Sequence, residues 1–112
     1  MSGITTHVLD TSLGKPAEGL SVRLSVRDGA ALRELAHALT DADGRVRQFS
    51  ADEPLMAGTY QLSFEVAAYF RAVQCEAFFE RVTLEFCVPD VSQHYHVPLL
   101  LSPFGYTTYR GT

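Results

Sequence analysis

No tryptophan occurs in these 112 residues, lysine occurs once (Lys15), and cysteine only twice. The nine bases, eight of them arginine, are outnumbered by thirteen acids. They form no basic run or arginine–aromatic stripe, which leaves a nucleic-acid partner without electrostatic support. The longest apolar run, Val97 to Leu101, is far short of the roughly twenty residues of a membrane span, so no membrane partner is expected. Met1-Ser2-Gly3-Ile4 lacks the charged and apolar regions of a secretory signal, and Arg110-Gly111-Thr112 is no peroxisomal tripeptide, so the cytosol is the expected location. Cys75 and Cys87 fit neither a C-x-x-C redox pair nor a zinc-finger spacing and read as reduced thiols. A G-x-S-x-G elbow and a glycine-rich phosphate loop are both missing.

What is present is period-two alternation. Leu20, Val22, Leu24 and Val26 alternate with Ser21, Arg23, Ser25 and Arg27, and the same pattern returns at Tyr60 to Val66 and at Val82 to Val88. Successive side chains of a strand point to opposite faces, so each run predicts a strand with one face on a core. Asp28-Gly29, Asp41-Ala42-Asp43-Gly44, Ala57-Gly58, Pro89-Asp90 and Ser102-Pro103 supply turns between them. About eight short strands predict an all-β sandwich or barrel. Ala30 to Leu39 is rich in helix formers, yet it lies between a hairpin-type turn and another turn with strands on both sides, and a strand is expected there. Ala67 to Val73 is the candidate for one short helix. A chain of this length buries roughly two-thirds of its unfolded surface, and residues 1–112 are expected to form a single domain.

In Gln93 to Ser102 the odd positions Tyr95, Val97, Leu99 and Leu101 should face the core. The other face, His94, His96, Pro98 and Leu100, is poor in charge and partly apolar, which suggests a surface that meets another subunit. His94 and His96 have a spacing that can bind metal, but Val97 to Ser102 supplies no third ligand, and two plain, partly exposed strand histidines fit better. His7 shares a strand face with Thr5 and Leu9, and Arg45 follows the Asp-Ala-Asp-Gly turn. Taken singly, both read as surface residues. His37 has no companion signal.

Four blocks in order tie these residues together: Thr6-His7-Val8-Leu9-Asp10 with Gly14-Lys15-Pro16-Ala17, then Thr40 to Arg45, then Gln93 to Pro103, then Tyr106 to Thr112. They resemble the transthyretin-like family, and within it the branch that hydrolyses 5-hydroxyisourate rather than the hormone carriers. The resemblance implies a two-sheet antiparallel β-sandwich with a short helix, assembled as a homotetramer with sites at the dimer–dimer interface, and neither cofactor nor metal. It implies that His7, Arg45 and His96 are catalytic and that Tyr109, Arg110 and Thr112 help bind the substrate. The family's Tyr-Arg-Gly-Ser reads Tyr-Arg-Gly-Thr here, which keeps a hydroxyl and adds a methyl.

The chemistry agrees. Opening a ring amide needs an activated water and stabilisation of an oxyanion. A neutral imidazole accepts a proton near pH 7, and a guanidinium stays cationic and offers a planar fork of donors. The expected reaction takes 5-hydroxyisourate to 2-oxo-4-hydroxy-4-carboxy-5-ureidoimidazoline in urate catabolism. The alternatives are a small-ligand carrier that performs no turnover and a metal-dependent hydrolase.

Overall fold

The computed structural model describes residues 3–51 and 53–112. Met1 and Ser2, the start of the segment scanned for a leader, lie outside the described residues, as does Asp52.

Two sheets carry the core between them. One holds β1 (Gly3–Asp10), β2 (Lys15–Pro16), β5 (Arg45–Val46), β8 (His94–Ser102) and β9 (Gly105–Thr108). Its order is β2-β1-β8-β9, with β5 also pairing to β1. The other runs β4 (Ala31–Leu39), β3 (Ser21–Asp28), β6 (Gly58–Phe64), β7 (Val82–Val88). Helix α1 (Val66–Ala72) follows β6 one residue ahead of its expected position, burying Val66, Tyr69 and Phe70, and the chain turns away from it where Gln74 takes a φ of 59°.

The predicted alternation governs the packing. Ile4, Val8, Val22, Leu24, Tyr60, Leu62, Phe64, Leu99 and Leu101 all point inward and are nearly or wholly buried. Full burial of a large apolar side chain contributes roughly 1.5–3 kcal/mol, enough to explain why tertiary context overrides helix propensity in β4. There the pairing with β3 slips at Leu24/Ser25, skipping Leu35, so that Leu35 and Ala36 both turn toward the core despite being neighbours.

Two features differ from the sequence expectation. Among the described residues nine strand segments stand where about eight were expected, because β2 and β5 are two-residue pairings too short to show any periodicity. The sheets are antiparallel except for β1 and β8, which run parallel, with Thr5 opposite His96 and His7 opposite Pro98. Among the described residues no helix is long and apolar enough to cross a membrane. Cys75 and Cys87 are both free thiols.

Candidate active site

The outer face of the first sheet gathers the polar residues singled out in the sequence. Register partners share a face, so β5, β1 and β8 line up Arg45, His7 and Pro98 in one row. The next row is Thr5, His96 and Gly111, the last through an isolated bridge to His96. Residues from positions 5 to 112 thus meet across about three strand spacings.

The turn before Arg45 fixes its approach. Asp41 Oδ1 accepts from the backbone N–H groups of Asp43 (2.9 Å) and Arg45 (3.0 Å), and these bonds hold the Asp41 carboxyl below its usual range. Gly44 adopts a φ of +75°, and a Cβ there would lie 2.4 Å from the Val8 carbonyl oxygen. Only glycine satisfies both demands. The Gly44 carbonyl in turn accepts from Val8 N–H at 2.7 Å, which pins the loop to β1 beside His7.

A cleft of about 260 Å³ opens on this face, lined by Thr5, Arg45, Arg47, His94, His96 and Thr112 among others. The two arginines in it differ in their electrostatics. Arg47 pairs with Asp41 (3.4 Å) and Asp43 (2.9 Å), whereas no carboxylate pairs with Arg45 among the described residues. The Arg45 guanidinium therefore projects an uncompensated charge onto its neighbours. His96 is held below the ordinary imidazole value, first by burial and then by the charges of Arg45, His7 and His94. His7 is lowered as well, by burial and then by Arg45, with the Asp43 backbone and the Asp41 and Asp43 carboxylates pulling the other way. Both rings are thus biased toward the neutral form at neutral pH.

Around His96 the contacts are close on two sides. Thr5 Oγ1 lies 2.8 Å from His96 Nδ1 and 2.9 Å from His94 Nε2. The Gly111 N–H donates to the His96 carbonyl at 2.8 Å. His7 sits one row away beside Arg45 and is not among the residues that line this cleft, and the other three expected residues divide. Thr112 joins the cleft, but Tyr109 and Arg110 line a separate groove with β7. Arg110 lies 4.6 Å over the Tyr95 ring and donates to Gln93 Oε1 at 3.0 Å. His37 lies on the other sheet, hydrogen-bonded to Ser21 Oγ on an exposed surface.

Thr5 and Arg47 were not among the expected site residues. Thr5 was legible only as a strand neighbour of His7, since its partners are 89 and 91 residues away in sequence. Among the described residues no group of three or more His, Cys, Asp or Glu side chains is placed to hold a metal ion.

A model of the HIUase/Transthyretin family matches residues 4–111. The chain belongs to that family. Within it, 5-hydroxyisourate hydrolase of Caulobacter vibrioides is 49% identical, with all of both chains covered. The structure of Klebsiella pneumoniae 5-hydroxyisourate hydrolase superposes with a TM-score of 0.86 at 41% identity, covering 99% of this chain and 100% of that one. Sea bream transthyretin in complex with thyroxine superposes with a TM-score of 0.90 at 29% identity, covering 97% of this chain and 94% of that one. The family fold alone therefore does not separate a hydrolase from a carrier. The side chains on the outer face of β1, β5 and β8 have to do so.

Proposed function

We propose that this protein is a 5-hydroxyisourate hydrolase, built from residues 1–112 as one domain. The observation that carries the reading is an arginine with no carboxylate partner among the described residues, Arg45, set beside two imidazoles biased toward neutrality, His7 and His96. A carrier has no need of proton-transfer groups, whereas hydrolysis of a ring amide requires both a base and an oxyanion partner. The identity to hydrolases of this name supports the same choice.

In the proposed mechanism a water adds to the ring amide carbonyl while one of the two imidazoles takes its proton. Arg45 donates to the oxygen on which negative charge develops, in a site partly shielded from bulk water where such interactions strengthen. Collapse of the tetrahedral species breaks the ring C–N bond, and the imidazolium returns its proton to the departing nitrogen. The product is a carboxylate with a ureido arm, 2-oxo-4-hydroxy-4-carboxy-5-ureidoimidazoline. Thr112 contributes its hydroxyl at the cleft. Tyr109 and Arg110 act less directly, the guanidinium over Tyr95 bracing the segment that carries Gly111 and Thr112.

The partly apolar outer face, with Pro98 and Leu100 beside the cleft, supports assembly as a homotetramer in which facing protomers close the site at a dimer–dimer interface. The working location is the cytosol, where Cys75 and Cys87 remain thiols. The deciding experiment follows the ultraviolet absorbance of freshly generated 5-hydroxyisourate with and without the protein. Decay is expected to accelerate well beyond the spontaneous rate. Acceleration no greater than an unrelated protein gives would end the hydrolase reading.

A further inference from the structure

We propose that Thr5 is a positioning residue which, through a single hydroxyl shared with His94, sets the tautomer of His96 and so leaves its cleft nitrogen free to act as a base. This deepens the hydrolase reading and rests on it for its consequence, though not for its test.

The geometry is a proton-counting problem. Thr5 Oγ1 contacts His96 Nδ1 at 2.8 Å and His94 Nε2 at 2.9 Å. A hydroxyl has one proton to give and lone pairs to receive. It can therefore donate to one ring only, and the other ring must donate to it. Two arrangements satisfy both contacts. In the first, His96 Nδ1–H donates to Thr5, and Thr5 donates to a bare His94 Nε2. In the second, His94 Nε2–H donates to Thr5, and Thr5 donates to a bare His96 Nδ1.

The two differ in what His96 can do. His96 Nε2 has no hydrogen-bond partner among the described residues and belongs to a ring that lines the cleft. In the first arrangement a neutral His96 carries its proton on Nδ1, and Nε2 presents a lone pair to water. In the second the proton sits on Nε2 and the base is lost. Accepting a proton at Nε2 also keeps the first arrangement intact, because the imidazolium still donates from Nδ1 to Thr5. The first arrangement is thus the only one that survives the catalytic cycle without moving Thr5.

His94 supplies the direction. While its Nε2 is bare, Thr5 donates to it and His96 is held in the competent form. When His94 instead carries its proton on Nε2, that N–H must donate, the hydroxyl turns, and His96 is driven toward the tautomer with no base in the cleft. The charged or titratable groups around this pair are His7 from β1, Arg45 from β5, Arg47 just beyond it, Glu53, which shares a pocket with Thr5 and His94 and is itself paired with Arg33, and Arg110, whose guanidinium lies 3.4 Å from the His94 carbonyl oxygen. Arg45 opposes an extra proton on His96, so the ring that meets the cleft is biased to be neutral when it receives the proton of water.

The test reads tautomers directly. Long-range proton–nitrogen NMR of the full chain distinguishes a bare from a protonated ring nitrogen, and Thr5→Val removes the hydroxyl while Thr5→Ser keeps it. The native protein and Thr5→Ser are expected to show His96 with Nδ1–H and a bare Nε2 near neutral pH. Thr5→Val is expected to show a mixture of tautomers and a roughly tenfold lower hydrolysis rate, the factor one hydrogen bond commands. In native protein a His96 with Nδ1–H should be accompanied by a His94 with a bare Nε2, and this pairing of tautomers should vanish in Thr5→Val. A bare Nδ1 on His96 in the native protein, or an unchanged tautomer in Thr5→Val, overturns the proposal whatever the rates. Loss of 5-hydroxyisourate turnover in the native protein sinks the hydrolase reading and leaves the tautomer result standing by itself.

Discussion

Gly111 and His96 are held together by what glycine lacks. The Gly111 N–H donates to the His96 carbonyl at 2.8 Å, and a Cβ at Gly111 would lie 2.7 Å from His96 Cδ2 and 3.2 Å from Pro98 Cγ. A methyl at 2.7 Å requires either the ring or the strand end to shift. Because Gly111 pairs with β8 only through an isolated bridge to His96, Gly111→Ala is expected to leave thermal stability within a few degrees of the native value. A misplacement of about an ångström at a reacting group costs on the order of 10²-fold. Steady-state kinetics on 5-hydroxyisourate should show that loss mainly in kcat; native kcat in a folded Gly111→Ala protein would show that the close packing on His96 has no catalytic role.

In the proposed mechanism one of His7 and His96 takes the proton of water and the other relays protons beside it. His7→Asn and His96→Asn should each slow hydrolysis by about 10²- to 10⁴-fold, the usual worth of a positioned acid or base. Residues that act as a unit are not additive. The double variant should therefore be no slower than the weaker single variant by more than a few-fold. Either single variant retaining full rate as a folded protein removes that histidine from the reaction.

Below the sheet, Asp10 and Tyr69 tie β1 to helix α1. The Tyr69 hydroxyl donates to Asp10 Oδ2 at 2.7 Å, in a site where Asp10 is wholly buried. Asp10 Oδ1 is satisfied separately by the Ser12 N–H and hydroxyl and by the Leu13 N–H. Burial, and then the bond to Asp10, push the Tyr69 phenol well above its ordinary value. Tyr69→Phe strands a buried carboxylate oxygen, and the expected cost is about 1–3 kcal/mol. Urea unfolding should show a lower midpoint at unchanged m-value; an unchanged midpoint would mean that water or a small rearrangement replaces the phenol at no cost.

How much of this was legible beforehand follows from where each signal is encoded. The strands β3, β6 and β7 each have one wetter face and one dry face, and alternation finds such strands wherever they occur. The segment Ala31–Leu39 contradicts its own helix propensity and was readable only from the turns on either side. The two-residue strands β2 and β5 have no period to detect, and the parallel pairing of β1 with β8 joins segments about ninety residues apart with no local trace. At the candidate site, residue pattern alone marked the H-x-H spacing and nothing firmer. The grouping of His7 with Arg45 and His96 came from the family blocks, and the part of Thr5 needed the register of a pairing that alternation does not encode.

The same register makes Arg45 a control on both imidazoles. Its charge is the second-largest cause, after burial, of the lowered His7 and His96 values. In Arg45→Gln both rings should titrate at higher pH, and the acid limb of the rate profile should move up with them. Because each folded-state value lies below the unfolded 6.5, the unfolded chain binds more protons between the two values. Native stability should therefore fall as pH drops below about 6.5 and level off once both folded rings are protonated. Raising the folded values narrows that window, so Arg45→Gln should lose less stability over the same acid range. Its kcat at the optimum should nonetheless be down by about 10²- to 10³-fold, as for removal of an oxyanion partner. Imidazole NMR titrations that coincide in the two proteins would show that the guanidinium does not act on these rings, and the electrostatic account of the site would fail with it.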